Sequence, residues 1–283
     1  MFGKGSSSAS RARRRNDILA FLALSAYTAF ALFPLFWIFL LSLKTQKDVI
    51  ATPPKFFFTP TLENYSVVLS RPDFLTPFKN SLIVTSGSLL LSAFIALPAA
   101  YALARMEFRG KEDLAFAFLS LRFAPELIIL LPLFVIYQSF GLYDTYIGLI
   151  LIYQLITFPL MVWMMRSFLE DVPKELEEAV QIDGGSWFTS FRMIITRIAL
   201  PGLAASCVLS FIYAWNHFVF ALVLASQRTQ VITGGLLQFI SFEQIQWGAM
   251  AAGVMLAIIP EFIIAVFALR YMIRGLTAGT VKG

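Results

Sequence analysis

Long apolar runs alternate with short polar stretches along the chain. Four of these runs contain no Asp, Glu, Lys or Arg, and each exceeds the roughly 18 residues that indicate a transmembrane helix. Two more runs of similar length contain only one or two charges each. None shows the period-2 alternation of a membrane β-barrel. The pattern predicts an all-α polytopic membrane protein with six transmembrane helices, at about 18–43, 80–104, 114–142, 145–168, 198–227 and 245–270.

The composition supports a membrane protein. Of the 283 residues, 58% are hydrophobic and 14% are charged, whereas a typical soluble domain has about 45–50% and about 25%. So little polar surface cannot cover a soluble globule, which makes a lipid bilayer the expected solvent. The one cysteine, Cys207, lies in an apolar run and has no second cysteine to pair with. We interpret it as a small buried or lipid-facing residue.

The basic residues are distributed unequally across the predicted membrane. Fifteen Lys and Arg residues flank one side of the six helices, and six flank the other side. Because cytoplasmic segments carry the excess of positive charge, the first side is predicted to be cytoplasmic, with both termini on it. This asymmetry also explains the formal net charge of +5, so nucleic acid is not an expected partner.

Sequence motifs for enzymatic chemistry are absent. Neither Gly3-Lys4 nor Gly110-Lys111 has the preceding glycine and the following hydroxyl of a phosphate-binding loop, so this chain is not expected to bind ATP in that way. One histidine and one cysteine cannot build a metal site of the usual ligand types. We therefore predict no catalytic residue, no metal and no cofactor in this chain.

The loop between the fourth and fifth predicted helices, residues 169–197, contains the pattern of a short amphipathic helix. Pro173 and Glu175 suit a helix start, and Gly184 with Gly185 suits a left-handed turn at its end. Apolar positions at i, i+3 and i+4 share one face. A helix on a membrane surface normally has a polar face rich in Lys and Arg, so an acidic face favours a protein partner. The apolar positions are Leu176, Ala179 and Val180, and the acidic positions are Glu177, Glu178 and Asp183.

Three parts of the sequence resemble one transporter family. Glu178-Ala179, Asp183-Gly184 and Leu200-Pro201 resemble the EAA…G…LP loop of ATP-binding-cassette (ABC) importer permeases. The motif "WNHF", residues 215–218, resembles a motif in the fifth helix of sugar-importer permeases. The end of the chain, "RGLTAGTVKG" at 274–283, resembles the tail of the shorter permease subunit in maltose-type transporters. The similarity covers nearly the whole chain after its first 16 residues.

The resemblance implies the type I permease fold of ABC importers. Residues 1–16 would form a cytoplasmic basic tail, residues 17–270 the transmembrane permease domain with a coupling loop at 169–197, and residues 271–283 a C-terminal cytoplasmic tail. It implies a multi-pass protein of the bacterial inner membrane, surrounded by lipid. Its protein partners would be a second homologous permease, two copies of a cytoplasmic ATPase and an extracytoplasmic solute-binding protein. The ATPases would bind ATP and Mg²⁺, and the solute would be a sugar, a polyol or a related molecule.

The resemblance also assigns a coupling role to the loop helix. In such importers this helix docks in a cleft of an ATPase subunit, and closure of the ATPases drives the permeases between inward-facing and outward-facing states. The apolar face would pack into the cleft, and Glu177, Glu178 and Asp183 would pair with groups on its rim. The expected coupling residues are Glu175, Leu176, Glu177, Glu178, Ala179, Val180, Asp183 and Gly184, and the expected C-terminal contacts with the ATPases are Thr277, Ala278, Gly279, Val281 and Lys282.

Six residues inside the predicted helices are candidates for the translocation path. Arg122 and Glu126 are four residues apart, so a continuous helix would place them on one face. Charges inside a membrane usually face the bundle interior and carry function, with a structural ion pair as the alternative. A lone histidine in an apolar helix is more often a packing residue, so His217 has that alternative, and Glu261 has an interhelical contact as its alternative. The candidates are Trp215, Asn216, His217, Arg122, Glu126 and Glu261.

Two other functions remain open from the residues alone. A self-sufficient secondary transporter often has paired broken helices in two matching halves, and we find no matching halves in this sequence. A membrane-embedded enzyme would depend on four ionisable residues scattered over three predicted helices. We therefore predict a non-catalytic permease subunit of an ATP-driven, binding-protein-dependent importer, coupled to its ATPases through the loop helix at 173–186.

Overall fold

The computed structural model is almost wholly helical in the residues that it describes. These are 6–123, 125–194, 198–240 and 245–279, with side chains described only between residues 16 and 269. Within these ranges the one strand-like pairing is an isolated antiparallel bridge between Ile240 and Ile245. The prediction of an all-α protein is confirmed. The helices are α1 (Ser6–Ser42), α2 (Gln46–Val49), α3 (Glu63–Leu69), α4 (Pro72–Arg105), α5 (Lys111–Ser120), α6 (Glu126–Ser139), α7 (Tyr146–Ile152), α8 (Gln154–Glu170), α9 (Glu175–Ile182), α10 (Trp187–Met193), α11 (Leu200–Trp215), α12 (Val219–Leu224), α13 (Ile232–Gly235) and α14 (Trp247–Gly279), with 3-10 turns at Leu121–Phe123 and Leu236–Phe239.

The chain divides into two compact units, and the first comprises residues 1–70 and 239–256. In this unit the side-chain amide of Asn64 donates to the carbonyl oxygens of Ser42, at 2.9 Å, and of Lys44, at 2.8 Å. These bonds hold α3 against the end of α1. The last backbone carbonyls of a helix have no hydrogen-bond donor within the helix itself. Between Asn16 and Ser42, most of α1 is exposed and apolar, which suits a helix in contact with lipid.

The second unit comprises residues 71–238 and 257–283 and is centred on the packing of α4, α8 and α11. Small residues recur every three or four positions on one face of α4, which lets the neighbouring helices approach closely. At the contact with α8, the hydroxyl of Ser92 bonds to Gln154 Oε1 at 2.6 Å and to the Thr157 hydroxyl at 2.5 Å. The buried small residues of α4 are Ser81, Thr85, Ser88, Ser92, Ala96, Ala100 and Ala104.

The membrane-spanning helices differ from the prediction in their continuity. Three helices, Asn16–Ser42, Pro72–Arg105 and Trp247–Leu269, are long and apolar enough to cross a bilayer on their own. The predicted third and fourth helices are each bent, by 92° between Lys111–Phe123 and Glu126–Ser139 and by 43° between α7 and α8. The predicted fifth helix is divided into α11, of 16 residues, and the short α12. The described residues thus contain three to five candidate spans, and a count of six stays a prediction.

The long helix α4 connects two functional regions. Its N-terminal part carries Asn80, which bonds to the 228–230 segment, and its C-terminal part carries Tyr101, which bonds to α9. At about 1.5 Å per residue, these two positions are roughly 32 Å apart along the helix axis. This separation is close to the roughly 30 Å thickness of the hydrocarbon core of a bilayer.

Candidate functional site

The predicted loop helix is present and ends in the expected glycine turn. Gly184 has a φ of +83°, in the left-handed region that glycine adopts without a steric cost. The Gly185 N–H donates to the Val180 carbonyl at 2.8 Å, and this bond closes the end of α9. The Ser186 hydroxyl accepts from the Thr189 N–H at 3.2 Å and starts α10. The loop is therefore a compact helix–turn–helix with α9 as its first arm.

The inner face of α9 is held to α4 by a buried ion pair. The Glu177 carboxylate accepts hydrogen bonds from the Tyr101 hydroxyl and from Nε of Arg105. The side chains of Arg105 and Glu177 are only 7% and 11% exposed. A second guanidinium nitrogen of Arg105 donates to the Val172 carbonyl at 2.8 Å, just before α9. The expectation that Glu177 faces a partner's rim is therefore corrected: both of its oxygens are bonded within this chain.

The outer face of α9 is open. Leu176 is 41% exposed and Ile182 is 85% exposed. Glu175, Glu178, Ala179, Asp183 and Gly184 are also exposed, and Val180 is half-buried. The anchor through Glu177 thus leaves an apolar and acidic surface directed away from α4. Seven of the eight residues that the sequence predicts for coupling lie on or beside this surface. The eighth, Glu177, bonds α9 to α4.

An aromatic group supports the loop from α10. The ring of Tyr101 is fully buried and meets Trp187 and Phe191 edge-on, at centroid distances of 5.5 and 5.1 Å. Trp187 and Phe191 stack on each other at 5.9 Å. Edge-to-face pairs of this kind add about 0.5–1.5 kcal/mol each to the burial of the rings. One tyrosine therefore contacts both arms of the helix–turn–helix, through its hydroxyl and through its ring.

The predicted C-terminal contacts lie mostly outside the described side chains. Thr277, Ala278 and Gly279 belong to the last turn of α14, for which only the backbone is described. Val281 and Lys282 lie outside the described residues. Their role as contacts stays a prediction.

The intramembrane candidates separate into two groups. The expectation that Arg122 and Glu126 share one helical face is wrong, because the helix is broken between them. Both nevertheless line one cavity of about 160 Å³ with His217 and Tyr213. The Arg122 guanidinium lies 4.9 Å from the centre of the Tyr213 ring. His217 Nε2 accepts from the Phe220 N–H at 3.4 Å and lies 3.7 Å from Glu126 Oε2, which is a close approach but no hydrogen bond.

The other three candidates contact α14 or pack in its neighbourhood. The Asn216 amide donates to Glu261 Oε1 at 2.7 Å, which gives Glu261 the interhelical partner that its own helix lacks. Trp215 is 3% exposed, and its Nε1 donates to the Ala257 carbonyl at 3.1 Å. Its ring packs against Phe78 and Phe211. In this structure Trp215 is a packing residue.

Sequence reasoning missed a loop clamp centred on Asp144. This residue lies between the third and fourth predicted helices and has a φ of +53°. Its carboxylate accepts the N–H groups of Ser226 at 2.9 Å and Thr229 at 2.9 Å, and the Thr229 hydroxyl at 2.7 Å. Burial acts to raise the pKa of Asp144, but these hydrogen bonds outweigh burial and hold the pKa below its ordinary value. Nothing in the spacing of the sequence relates positions 144 and 229.

The comparisons with known proteins agree with the fold. Residues 95–277 match the family model described as binding-protein-dependent transport system inner membrane component. The trehalose/maltose transport system permease protein MalG of Thermococcus litoralis is 35% identical over 234 residues, which cover 81% of this chain and 84% of that protein. The diacetylchitobiose uptake system permease protein DasC of Streptomyces coelicolor is 33% identical over 244 residues, covering 86% and 88%.

A solved structure shares the fold. It is a chain in the crystal structure of a bacterial ABC transporter involved in the import of the acidic polysaccharide alginate, with a TM-score of 0.75 over 92% of this chain and 98% of that chain. At 23% identity, this likeness concerns the fold alone. The matched family model covers well over half of the chain, and it describes a membrane component rather than an enzyme. This protein is therefore a permease subunit of the inner membrane and belongs to the family of binding-protein-dependent transport system inner membrane components.

Proposed function

We propose that this permease imports a neutral sugar or a sugar-like polyol and that α9 transmits the force of ATP hydrolysis to the transmembrane helices. The solute class is supported by the names of the relatives, which act on trehalose, maltose and diacetylchitobiose. The working complex contains a second permease, two cytoplasmic ATPases that bind ATP and Mg²⁺, and an extracytoplasmic solute-binding protein. This chain supplies one side of the translocation path and one coupling helix.

The observation that carries the proposal is the two-sided construction of α9. A helix that transmits motion must be fixed to the element that it moves and must offer a free surface to the element that pushes it. Glu177 is bonded to Tyr101 and Arg105 on α4, which is the longest helix of its unit. Leu176 and Glu178 are exposed on the other side. Closure of an ATPase that grips the outer face would therefore displace α4.

The outer face has the chemistry of a protein interface. Apolar side chains such as Leu176 and Ile182 would enter a cleft, because they are costly to leave in water. The exposed carboxylates of Glu178 and Asp183 would pair with basic or hydroxyl groups around that cleft. Residues 175–184 include no Lys or Arg, the side chains by which an amphipathic helix binds a lipid headgroup layer.

Charge reversal on the outer face tests the proposal. Glu178→Lys is expected to weaken the association of the ATPases with the purified permease pair by at least tenfold, which is about 1.4 kcal/mol. Solute uptake in vesicles would fall in parallel. The matched control is Glu63→Lys, an exposed glutamate in the first turn of α3, which is expected to leave association and uptake unchanged. Normal association and uptake in Glu178→Lys would contradict the coupling role.

Uptake measurements also separate the alternative functions. A self-sufficient secondary transporter would accumulate solute in vesicles that contain this chain without any ATPase. An importer subunit requires the second permease, the ATPases and ATP for uptake. Accumulation by the isolated chain would therefore overturn the proposed function, whatever the solute.

A further inference from the structure

A second cavity lies next to the loop that Asp144 holds. It has a volume of about 480 Å³ and is formed between α12 and the segment that leads through α13. This volume falls within the range of roughly 300–1,000 Å³ that is usual for small-molecule sites, whereas the intramembrane cavity at His217 holds only about 160 Å³. The polar lining residues are Ser226, Gln227, Gln230 and Gln238.

The lining matches a neutral ligand rich in hydroxyl groups. Each glutamine amide offers both a carbonyl acceptor and N–H donors, and each sugar hydroxyl offers the complementary pair. Phe218 and Leu237 add apolar surface, on which the C–H face of a sugar ring can rest. Among the residues that the structure describes, no charged side chain lines the cavity. An anionic ligand would therefore lose hydration there without gaining a counter-charge.

The cavity wall is held in place from two sides. Asp144 binds the Ser226 and Thr229 N–H groups, as described above. From α4, the Asn80 amide donates to the backbone carbonyls of Arg228, at 3.0 Å, and of Gln230, at 2.9 Å. A five-residue stretch of loop is thus fixed by six hydrogen bonds from distant parts of the chain. Such fixing lowers the entropic cost of binding.

The amide groups are also oriented within the cavity. Gln238 Nε2 donates to Gln230 Oε1 at 2.8 Å, so the two side chains are aligned before any ligand arrives. Gly234 lies beside them on α13, and a side chain there would touch Gln230 at 3.4 Å. A glycine at this position keeps the space in front of the amide pair open.

We propose that this cavity is a binding site for a neutral di- or oligosaccharide at the outer mouth of the permease. The proposal rests on the proposed function and deepens it. The cavity lies at the Asn80 end of α4, about one bilayer thickness from α9, and the distribution of Lys and Arg predicts that this end is extracytoplasmic. The site would receive the solute on release from the binding protein and hold it until the path opens.

Photolabelling of the complete importer tests the site. The wild-type complex, with both permeases, the ATPases and the binding protein, is reconstituted in vesicles and supplied in turn with trehalose, maltose and diacetylchitobiose. A diazirine derivative of the sugar that is transported is then photolysed, and the labelled peptides are identified by mass spectrometry. We expect label between residues 218 and 238, and unmodified sugar should compete for it. Digalacturonate, which is of disaccharide size but carries two carboxylates, should not compete.

Substitutions define which outcome supports the site. The double variant Gln227→Leu with Gln238→Leu, and separately Gly234→Val, are expected to reduce labelling and uptake at least tenfold. Gln138→Leu, an exposed glutamine outside the cavity, is the matched control and should behave as wild type. If wild type transports a sugar but label is absent from 218–238, if the variants label and transport normally, or if digalacturonate competes equally, the inference is wrong. If wild type shows no ATP-driven uptake of these three sugars or of any other neutral sugar or polyol supplied to it, the proposed function itself fails.

Discussion

Removal of the Glu177 carboxylate is the sharpest test of how α9 is attached. In Glu177→Ala, the Arg105 guanidinium stays in place with 7% of its side chain exposed and without its counter-charge. The Tyr101 hydroxyl also loses its acceptor. Removing one partner of a buried pair costs about 3–5 kcal/mol. We take about 3 kcal/mol, because Glu177 retains a small contact with water.

The loss should appear as local opening of α9. A change of about 3 kcal/mol corresponds to roughly a hundredfold larger open population. We expect amide hydrogen exchange of Glu175–Ile182 to accelerate by about that factor in the purified complex, while exchange in α8 changes little. In vesicles, solute uptake per ATP hydrolysed should fall, because the ATPases would move a helix that is no longer fixed to α4.

Two further variants decide whether the ion pair is the cause. Glu178→Gln removes a charge from the exposed side of the same helix and should leave exchange in α9 unchanged. The double variant Arg105→Met with Glu177→Leu replaces both charges by apolar groups and should recover most of the protection, since no buried charge is left unpaired. Unchanged exchange in Glu177→Ala, or equal acceleration in Glu178→Gln, would refute the assignment of Glu177 as the anchor.

Two other predictions concern the turns. Gly184→Val places a β-branched residue at a φ of +83°, at a cost of about 1–3 kcal/mol, and should lower uptake per ATP hydrolysed. Gly141→Val is the control, because it introduces similar backbone strain at a φ of +65° outside the coupling loop. An equal fall in uptake per ATP hydrolysed in both variants would contradict a specific role for Gly184. Asp144→Asn should lower the free energy of unfolding at pH 7 by about 1–2 kcal/mol, because the hydrogen bonds from Ser226 and Thr229 lose a charged acceptor. Since the folded-state pKa of Asp144 is depressed, its contribution is present above the unfolded pKa of about 3.9 and is lost as pH falls through the lower folded value. Thermal unfolding of wild type and Asp144→Asn should therefore converge in strong acid, and a constant difference down to the lowest pH would contradict the clamp.

In the two proposals, α9 and the loop that lines the cavity at 218–238 are linked through α4. Asn80 and Tyr101 lie on the same helix and hold the outer loop and α9, respectively. A displacement of α9 along or around the axis of α4 would therefore reach the loop that lines the outer cavity. We expect variants at either end of α4 to alter both coupling and solute binding, whereas variants in α1 should alter neither.

The sequence by itself determined the class of this protein. Apolar runs of more than twenty residues have no stable place in water, so the helical membrane architecture follows from composition and run length alone. The amphipathic pattern at 176–183 and the two glycines likewise predicted α9 and its turn, because helix periodicity and left-handed φ values are local properties. The motifs at 178–201 and 274–283 indicated the permease family, which the family match over residues 95–277 confirmed.

Only the tertiary structure decided which side chains meet. Glu177 and Glu178 are adjacent acids on one helix, and nothing local distinguishes the one that pairs with Arg105 from the one that stays exposed. The clamp from Asp144 to Thr229 likewise depends on packing between elements distant in sequence. The break between Arg122 and Glu126 instead coincides with Pro125, which is a local signal. Local periodicity determines the face of the helix on which a residue lies. The residue that it contacts on a neighbouring helix is determined by how the helices pack, which cannot be read from the spacing of residues in the sequence.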